Sequence, residues 1–134
     1  MIVAVLRASA IDFDVDDFVA EFPDLQPERI WHRGDVRLRQ DPTGDSGLNK
    51  TLAEGDVFGD VMRLVRQQLS KLAPALSSLR ERRVVSVVDI GMTLELGRHL
   101  SRSVRFKADD IALLEHLGLD VEVSAYISSG DRDA

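Results

Sequence analysis

Basic side chains surround the single tryptophan of the chain, in a segment that the sequence predicts to be a β-strand. If residues 28–40 form one continuous strand, side-chain alternation places Trp31 and the neighbouring arginines on one face and Ile30, Val36 and Leu38 on the core face. Arginines beside an aromatic ring are typical of protein-interface anchors and of nucleic-acid or phosphate sites. The alternative is a solvated strand face whose arginines pair with nearby acids. The candidate interface comprises Arg29, Trp31, His32, Arg33, Asp35, Arg37 and Arg39.

Aspartates near the N-terminus have the spacing that begins a calcium-binding EF loop, at Asp12, Asp14 and Asp16. That loop also needs glycine at its sixth position and glutamate at its twelfth, and these positions hold Asp17 and Pro23. An aspartate before an apolar helical stripe is the usual helix N-cap. We therefore interpret these acids as capping a helix rather than binding a metal.

The segment GDSG at residues 44–47 resembles the nucleophile segment of trypsin-like serine proteases. Those enzymes need two β-barrels, which 134 residues with this much predicted helix cannot form, so a turn is the better interpretation. No phosphate-binding glycine motif occurs in the sequence. The three histidines lie on different predicted elements with no cysteine beside them, so we predict no metal site and no cofactor. They are His32, His99 and His116.

Composition points to an ordinary globular domain of 134 residues, with 44% hydrophobic and 30% charged residues. The net charge of −6 makes wholesale binding to nucleic acid or to anionic membranes unfavourable. The absence of cysteine excludes disulfides and thiol catalysis. The apolar run at residues 2–6 is too short for a signal peptide, and no run is long enough to cross a membrane. A cytoplasmic location is the expectation.

Hydrophobic periodicity predicts the element order β-α-β-β-α-β-α-β. The first six elements match the ferredoxin-like βαββαβ plan, and the last helix and strand extend it. We therefore predict a single α+β domain over residues 1–128, with helices mainly on one face of one sheet, and a disordered tail over residues 129–134. Pro74 either kinks the long helix or starts a second one. The predicted core comprises Phe18, Val61, Val65, Leu69, Val85, Val87, Leu114 and Val123.

Three segments carry a resemblance to a mostly bacterial family of domains of unknown function. The longest is LRASAIDFDVDDFVAEFPDLQPERIWHRGD at residues 6–35, with a strand, an aspartate-capped helix, a proline turn and a W-H-R-G-D step. The helix QQLSKLAPALSSL and the helix–strand LLEHLGLDVEVSAYI are similar to later parts of that family. The family pattern has tryptophan where this chain has Leu48. The resemblance supports the α+β fold and implies no activity.

Three functions remain open from the sequence. The leading hypothesis is a non-enzymatic protein-binding domain, for example an immunity or antitoxin-like inhibitor or an adaptor. The second is a protein that binds a small molecule or nucleotide through the arginine–tryptophan strand face. The third is an enzyme whose site resembles no known motif. The expected partner is another protein, with a small-molecule ligand as the alternative and nucleic acid disfavoured.

Overall fold

The computed structural model describes residues 1–129, and within them it contains one five-stranded mixed sheet and four α-helices, so the α+β prediction is confirmed. Of the predicted tail at residues 129–134, Ser129 is the last residue of the final strand, and residues 130–134 lie outside the described residues. The elements are β1 (Ile2–Ala10), α1 (Val15–Glu21), β2 (Arg29–Trp31), β3 (Ser46–Gly55), α2 (Phe58–Lys71), α3 (Ala73–Glu81), β4 (Val85–Leu96), α4 (Ala108–His116) and β5 (Asp120–Ser129).

The strands lie in the order β2-β3-β1-β4-β5. Strand β1 is central and pairs antiparallel with both β3 and β4, while β2 pairs antiparallel with β3. The β4–β5 pair is parallel, and α4 forms the crossover between these two strands. A parallel connection of this kind needs a helix-length segment, which residues 97–119 provide. This fifth strand makes the sheet order differ from that of the four-stranded ferredoxin-like plan.

The hydrophobic core lies on one face of the sheet, between the strands and the helices. Even-numbered residues of β1, such as Leu6, are buried together with Val88 and Ile90 of β4, whereas the odd-numbered residues of β1 are half-buried on the opposite face. We call this second face the open face. The helices contribute Phe18, Val61, Val65, Leu69, Leu76, Leu79 and Leu114 to the core.

Three predicted core residues are not part of the buried core. Val85 and Val87 have the parity of the open face, and Val85 is 56% exposed. The β-branched run of β4 does not by itself indicate which alternate residues face the helices, because both sets are apolar. Val123 does lie on the helix side, opposite Ile90, but it is 41% exposed because β5 is an edge strand.

Local signals in the sequence account for several element boundaries. Asp14 caps α1, and its carboxylate accepts a hydrogen bond from the backbone N–H of Asp17 at 3.1 Å. Pro74 lies in the first turn of α3, so the second of the two predicted roles for this proline is correct. Gly118 ends α4 with a φ of +71°, a conformation that glycine adopts without a steric penalty.

Candidate functional site

Strand β2 ends at Trp31, so the prediction of a continuous strand over residues 28–40 is wrong. The chain turns immediately, because the Asp35 carboxylate accepts a 2.7 Å hydrogen bond from the His32 backbone N–H and Gly34 adopts a φ of +90°. Val36 and Leu38, predicted to face the core, are 92% and 88% exposed. Residues 32–45 therefore form a loop rather than the second half of a strand.

Thr43 anchors this loop to the end of β2. Its hydroxyl donates to the His32 carbonyl at 2.6 Å and accepts from the Asp35 backbone N–H at 3.1 Å. Its carbonyl accepts from the backbone N–H of Gly34 at 2.8 Å. Thr43 is buried by these contacts, so the loop is closed at its base and returns the chain to the start of β3.

The indole of Trp31 lies against β3 on the open face, over Gly47. A β-carbon on Gly47 would come within 2.4 Å of the indole, so only glycine leaves room for the ring. The indole Nε1–H donates to Asp45 at 2.9 Å, and the Ser46 hydroxyl accepts from the Arg33 backbone N–H at 2.8 Å. The GDSG segment therefore positions the tryptophan and its loop.

A cavity of about 340 Å³ opens between this loop and the open face. The Arg29 guanidinium lies 5.5 Å from the centre of the Trp31 ring, a cation–π distance, and Arg37 Nε donates to the Asp41 carbonyl at 2.8 Å. We call the cavity the arginine–tryptophan groove. It is lined by Arg7, Arg29, Trp31, Arg37, Thr43, Gly44, Asp45 and Asn49.

Arg7 reaches the groove from the central strand and is held in place by two acids. Its guanidinium donates to Asp89 on β4 at 2.6 Å and to Glu122 on β5. The pKa of Arg7 is raised, chiefly by the hydrogen bond to Glu122. Both acids pair with Arg7, whereas Arg29 and Arg37 form no ion pair with an acidic side chain in the described part of the chain, and Asp45 is the acid among the lining residues.

Asn49 forms part of the groove between two arginines, since it lies opposite Arg7 on β1 and opposite Arg29 on β2. Its side-chain Oδ1 is buried and has no hydrogen-bond partner within the described part of the chain. A buried acceptor without a donor is costly, at roughly 1–3 kcal/mol. The groove thus combines guanidinium donors with a neighbouring buried acceptor that has no donor among the described residues.

The structure brings together three of the seven predicted interface residues, because Arg29, Trp31 and Arg37 line the groove. Arg33 and Arg39 are exposed on the loop outside it, together with His32 and Asp35. Arg7 and Asn49 were not predicted. Arg7 is the one base in the otherwise uncharged β1 strand, a signal that could have identified it. Asn49 carries no such signal, because only strand pairing places it between arginines.

His32 links the loop to α1. Its Nε2 lies 2.9 Å from Asp16 Oδ2, and Asp35 is within 3.7 Å of Nδ1. The pKa of His32 is raised, mainly by its hydrogen bond to Asp16 and by the charge of that carboxylate. Asp16 therefore pairs with a histidine of the loop while it also lies in the first turn of α1.

Among residues 1–129, no group of three or more histidine, aspartate or glutamate side chains has the arrangement of a metal site. None of the helices in this range combines the length and apolar character needed to cross a membrane. The cytoplasmic location stays a prediction.

Comparisons of the chain with protein-family models, with curated proteins and with solved structures find no match. The resemblance to a bacterial family of domains of unknown function therefore stays a prediction. Any conclusion about activity has to come from the geometry of the groove itself.

Proposed function

We propose that this protein is a non-enzymatic binding domain that holds an acidic segment of another protein in the arginine–tryptophan groove. The observation that carries the proposal is the position of Arg29, Trp31 and Arg37 around one cavity on the open face. Arginine forms charge-assisted hydrogen bonds with carboxylates, and arginine and tryptophan are enriched among interface residues that dominate affinity.

The combination of arginines and an indole in the lining favours a peptide over a simple anion. A phosphate or carboxylate ion can use the guanidinium donors but not the indole of Trp31. A peptide segment offers both a carboxylate for the arginines and side-chain surface for the tryptophan. The cavity of about 340 Å³ is at the small end of the range for ligand sites, which suits one or two side chains.

A small-molecule or nucleotide ligand is the second candidate, and the stacking surface of Trp31 beside Arg29 supports it. An immunity or antitoxin-like inhibitor, or an adaptor, is the class of protein that we propose within the first candidate. We also propose that β2-β3-β1-β4 forms a ferredoxin-like core to which α4 and β5 are added.

Fluorescence provides the test, because Trp31 is the single tryptophan of the chain and lies in the groove. We would titrate the protein with an acetylated oligoglutamate peptide, with an oligoglutamine peptide of equal length, and with inorganic phosphate and a nucleoside monophosphate. We expect the indole emission to saturate with the glutamate peptide and to remain constant with the neutral one. Affinity should fall as salt rises, because the charges are partly exposed.

A pair of variants with equal changes in charge localises the binding. Replacing Arg29 and Arg37 by glutamate should lower the affinity for the glutamate peptide at least about tenfold, because two charged donors are lost. A tenfold loss is equivalent to roughly 1.4 kcal/mol. Arg33→Glu with Arg39→Glu is the matched control, since both arginines lie outside the groove. Equal weakening in both double variants would indicate general charge attraction and contradict the proposal.

Other results would replace the proposal by one of its alternatives. Tighter binding of the nucleotide than of the glutamate peptide would favour the small-molecule candidate. Turnover of an ester, peptide or nucleoside triphosphate that is lost on Ser46→Ala would instead indicate an enzyme. We expect no such turnover, because the Ser46 hydroxyl accepts a hydrogen bond from the Arg33 backbone.

A further inference from the structure

Strand β5 forms one edge of the sheet and runs for ten residues from Asp120 to Ser129. Within residues 1–129, its outer edge pairs with no strand. The opposite edge is different, because β2 has three residues, follows Pro27 and leads into the folded loop. Long unprotected edges with apolar side chains are uncommon in monomeric proteins, since they invite pairing with another strand.

Apolar side chains extend from this edge over the helix side of the sheet. Val121, Val123 and Ile127 project from β5 on that side, and Ile127 is 72% exposed. Val121 also lines a cavity of about 640 Å³ between α4 and the start of β5, together with residues such as Phe106, Ile111 and Leu114. This surface is separate from the arginine–tryptophan groove, which lies on the open face.

The charges along β5 favour one particular partner. Both acids of the strand, Asp120 and Glu122, lie in its first half, whereas residues 124–129 carry no charge. If two copies paired in parallel and in register, Asp120 and Glu122 of one copy would lie beside the same acids of the other. Like charges placed opposite each other are destabilising. Two copies paired antiparallel would place the acidic half of one strand against the uncharged half of the other.

We infer that β5 pairs antiparallel with β5 of a second copy of this chain, across a two-fold axis at Ser124. In this register Val121 faces Ile127 of the second copy and Val123 faces Ala125, so all four helix-side residues meet apolar partners. On the open face, Glu122 faces Tyr126 and Asp120 faces Ser128. A two-fold axis closes the assembly as a dimer, with one sheet of ten strands.

Neighbouring registers are less complementary. An axis at Ala125 places Val121 opposite Ser129, and an axis at Val123 leaves Ile127 beyond the paired part of the strand. The axis at Ser124 also places Ile127 of the second copy beside Val121, which lines the cavity next to α4. That contact removes Ile127 from water, and Ile127 is more exposed than Val121 or Val123 on the same side of the strand.

Sedimentation equilibrium of the chain tests the dimer. We expect the mass of two chains at micromolar concentration, and we expect Val123→Lys with Ile127→Lys to raise the dissociation constant at least about tenfold. The matched control is Val36→Lys with Leu38→Lys, which makes the same change in charge at two exposed apolar residues on the loop at residues 32–45. Circular dichroism melts of all variants check that the monomers remain folded.

The register is tested by a cross-link, which is unambiguous because the chain has no cysteine of its own. Directly opposed residues of antiparallel strands have Cα atoms about 4.5–5.5 Å apart, within the range that a disulfide spans. Ser124→Cys should therefore form a disulfide-linked dimer under mild oxidation, whereas Ser128→Cys, facing Asp120, should not.

Three results would overturn the inference. One is a monomer at every concentration up to the millimolar range. A second is a dimer whose dissociation constant is the same in the double lysine variant of β5 and in Val36→Lys with Leu38→Lys. The third is equal cross-linking of Ser124→Cys and Ser128→Cys, which would indicate random collision. Because none of these measurements involves Arg29 or Arg37, their outcome is independent of peptide binding in the groove.

Discussion

Replacing Gly47 with alanine tests whether the sequence positions Trp31 as the structure describes. The new methyl group would lie 2.4 Å from Trp31 Cζ2 and 2.5 Å from the Ala8 carbonyl oxygen. Both distances are far below the roughly 3.5–4.0 Å at which such atoms pack. The indole is held by Asp45 and the carbonyl belongs to the central strand, so neither yields easily. Overpacking typically costs about 1–3 kcal/mol, and with two rigid obstacles we expect about 3 kcal/mol.

Thermal unfolding followed by circular dichroism measures this cost. For a chain of this length, about 3 kcal/mol corresponds to a fall in Tm of roughly 10 °C. Gly44→Ala is the matched control, because a β-carbon there meets nothing within 4 Å, and its Tm should be unchanged or slightly raised. In a Trp31→Ala background, the cost of Gly47→Ala should shrink, because one of the two obstacles is gone. A Gly47→Ala variant with the Tm and indole emission of Gly44→Ala would refute the described contact between ring and strand.

Three further predictions concern the core, a buried charge and pH. Phe18→Ala should lower the free energy of unfolding by about 3–5 kcal/mol in a denaturant titration, because the ring is fully buried; an unchanged midpoint would contradict this burial. Asp110→Ala should cost about 2–3 kcal/mol by the same measurement, because it leaves Arg66 without its 2.6 Å partner; a loss under 1 kcal/mol would indicate that solvent replaces the pair. The pKa of His32 is raised in the folded protein, so its bond to Asp16 contributes fully to the stability of the fold below the ordinary pKa of 6.5. This contribution is lost as pH rises through the folded pKa. An NMR titration should show the pKa of His32 falling on Asp16→Asn, and an unaltered value would exclude this pairing.

Several elements could be predicted from the sequence because their signals are local. Asp14 caps a helix, Pro74 starts one and Gly118 ends one wherever the segments pack, because capping and backbone freedom depend on neighbours in the chain. The α+β class follows from the order of these elements. The sequence also placed arginines beside the single tryptophan, and two of them, Arg29 and Arg37, line one cavity with it.

Tertiary structure decided what depends on partners that are distant in the chain. The strand predicted over residues 28–40 ends at Trp31, because the loop hydrogen bonds of Thr43 replace the pairing that a longer β2 would need. Because β4 has apolar residues on both faces, the sequence did not indicate which face meets the helices. Val123 lies on the helix side and is exposed because β5 is at the edge of the sheet. The groove needs Arg7 and Asn49, which lie 42 positions apart and meet only through the register of β1 and β3. The alternation of residues predicts which side chains of one strand share a face. The residues of a binding site come from several strands, so strand pairing and register decide which of them lie together.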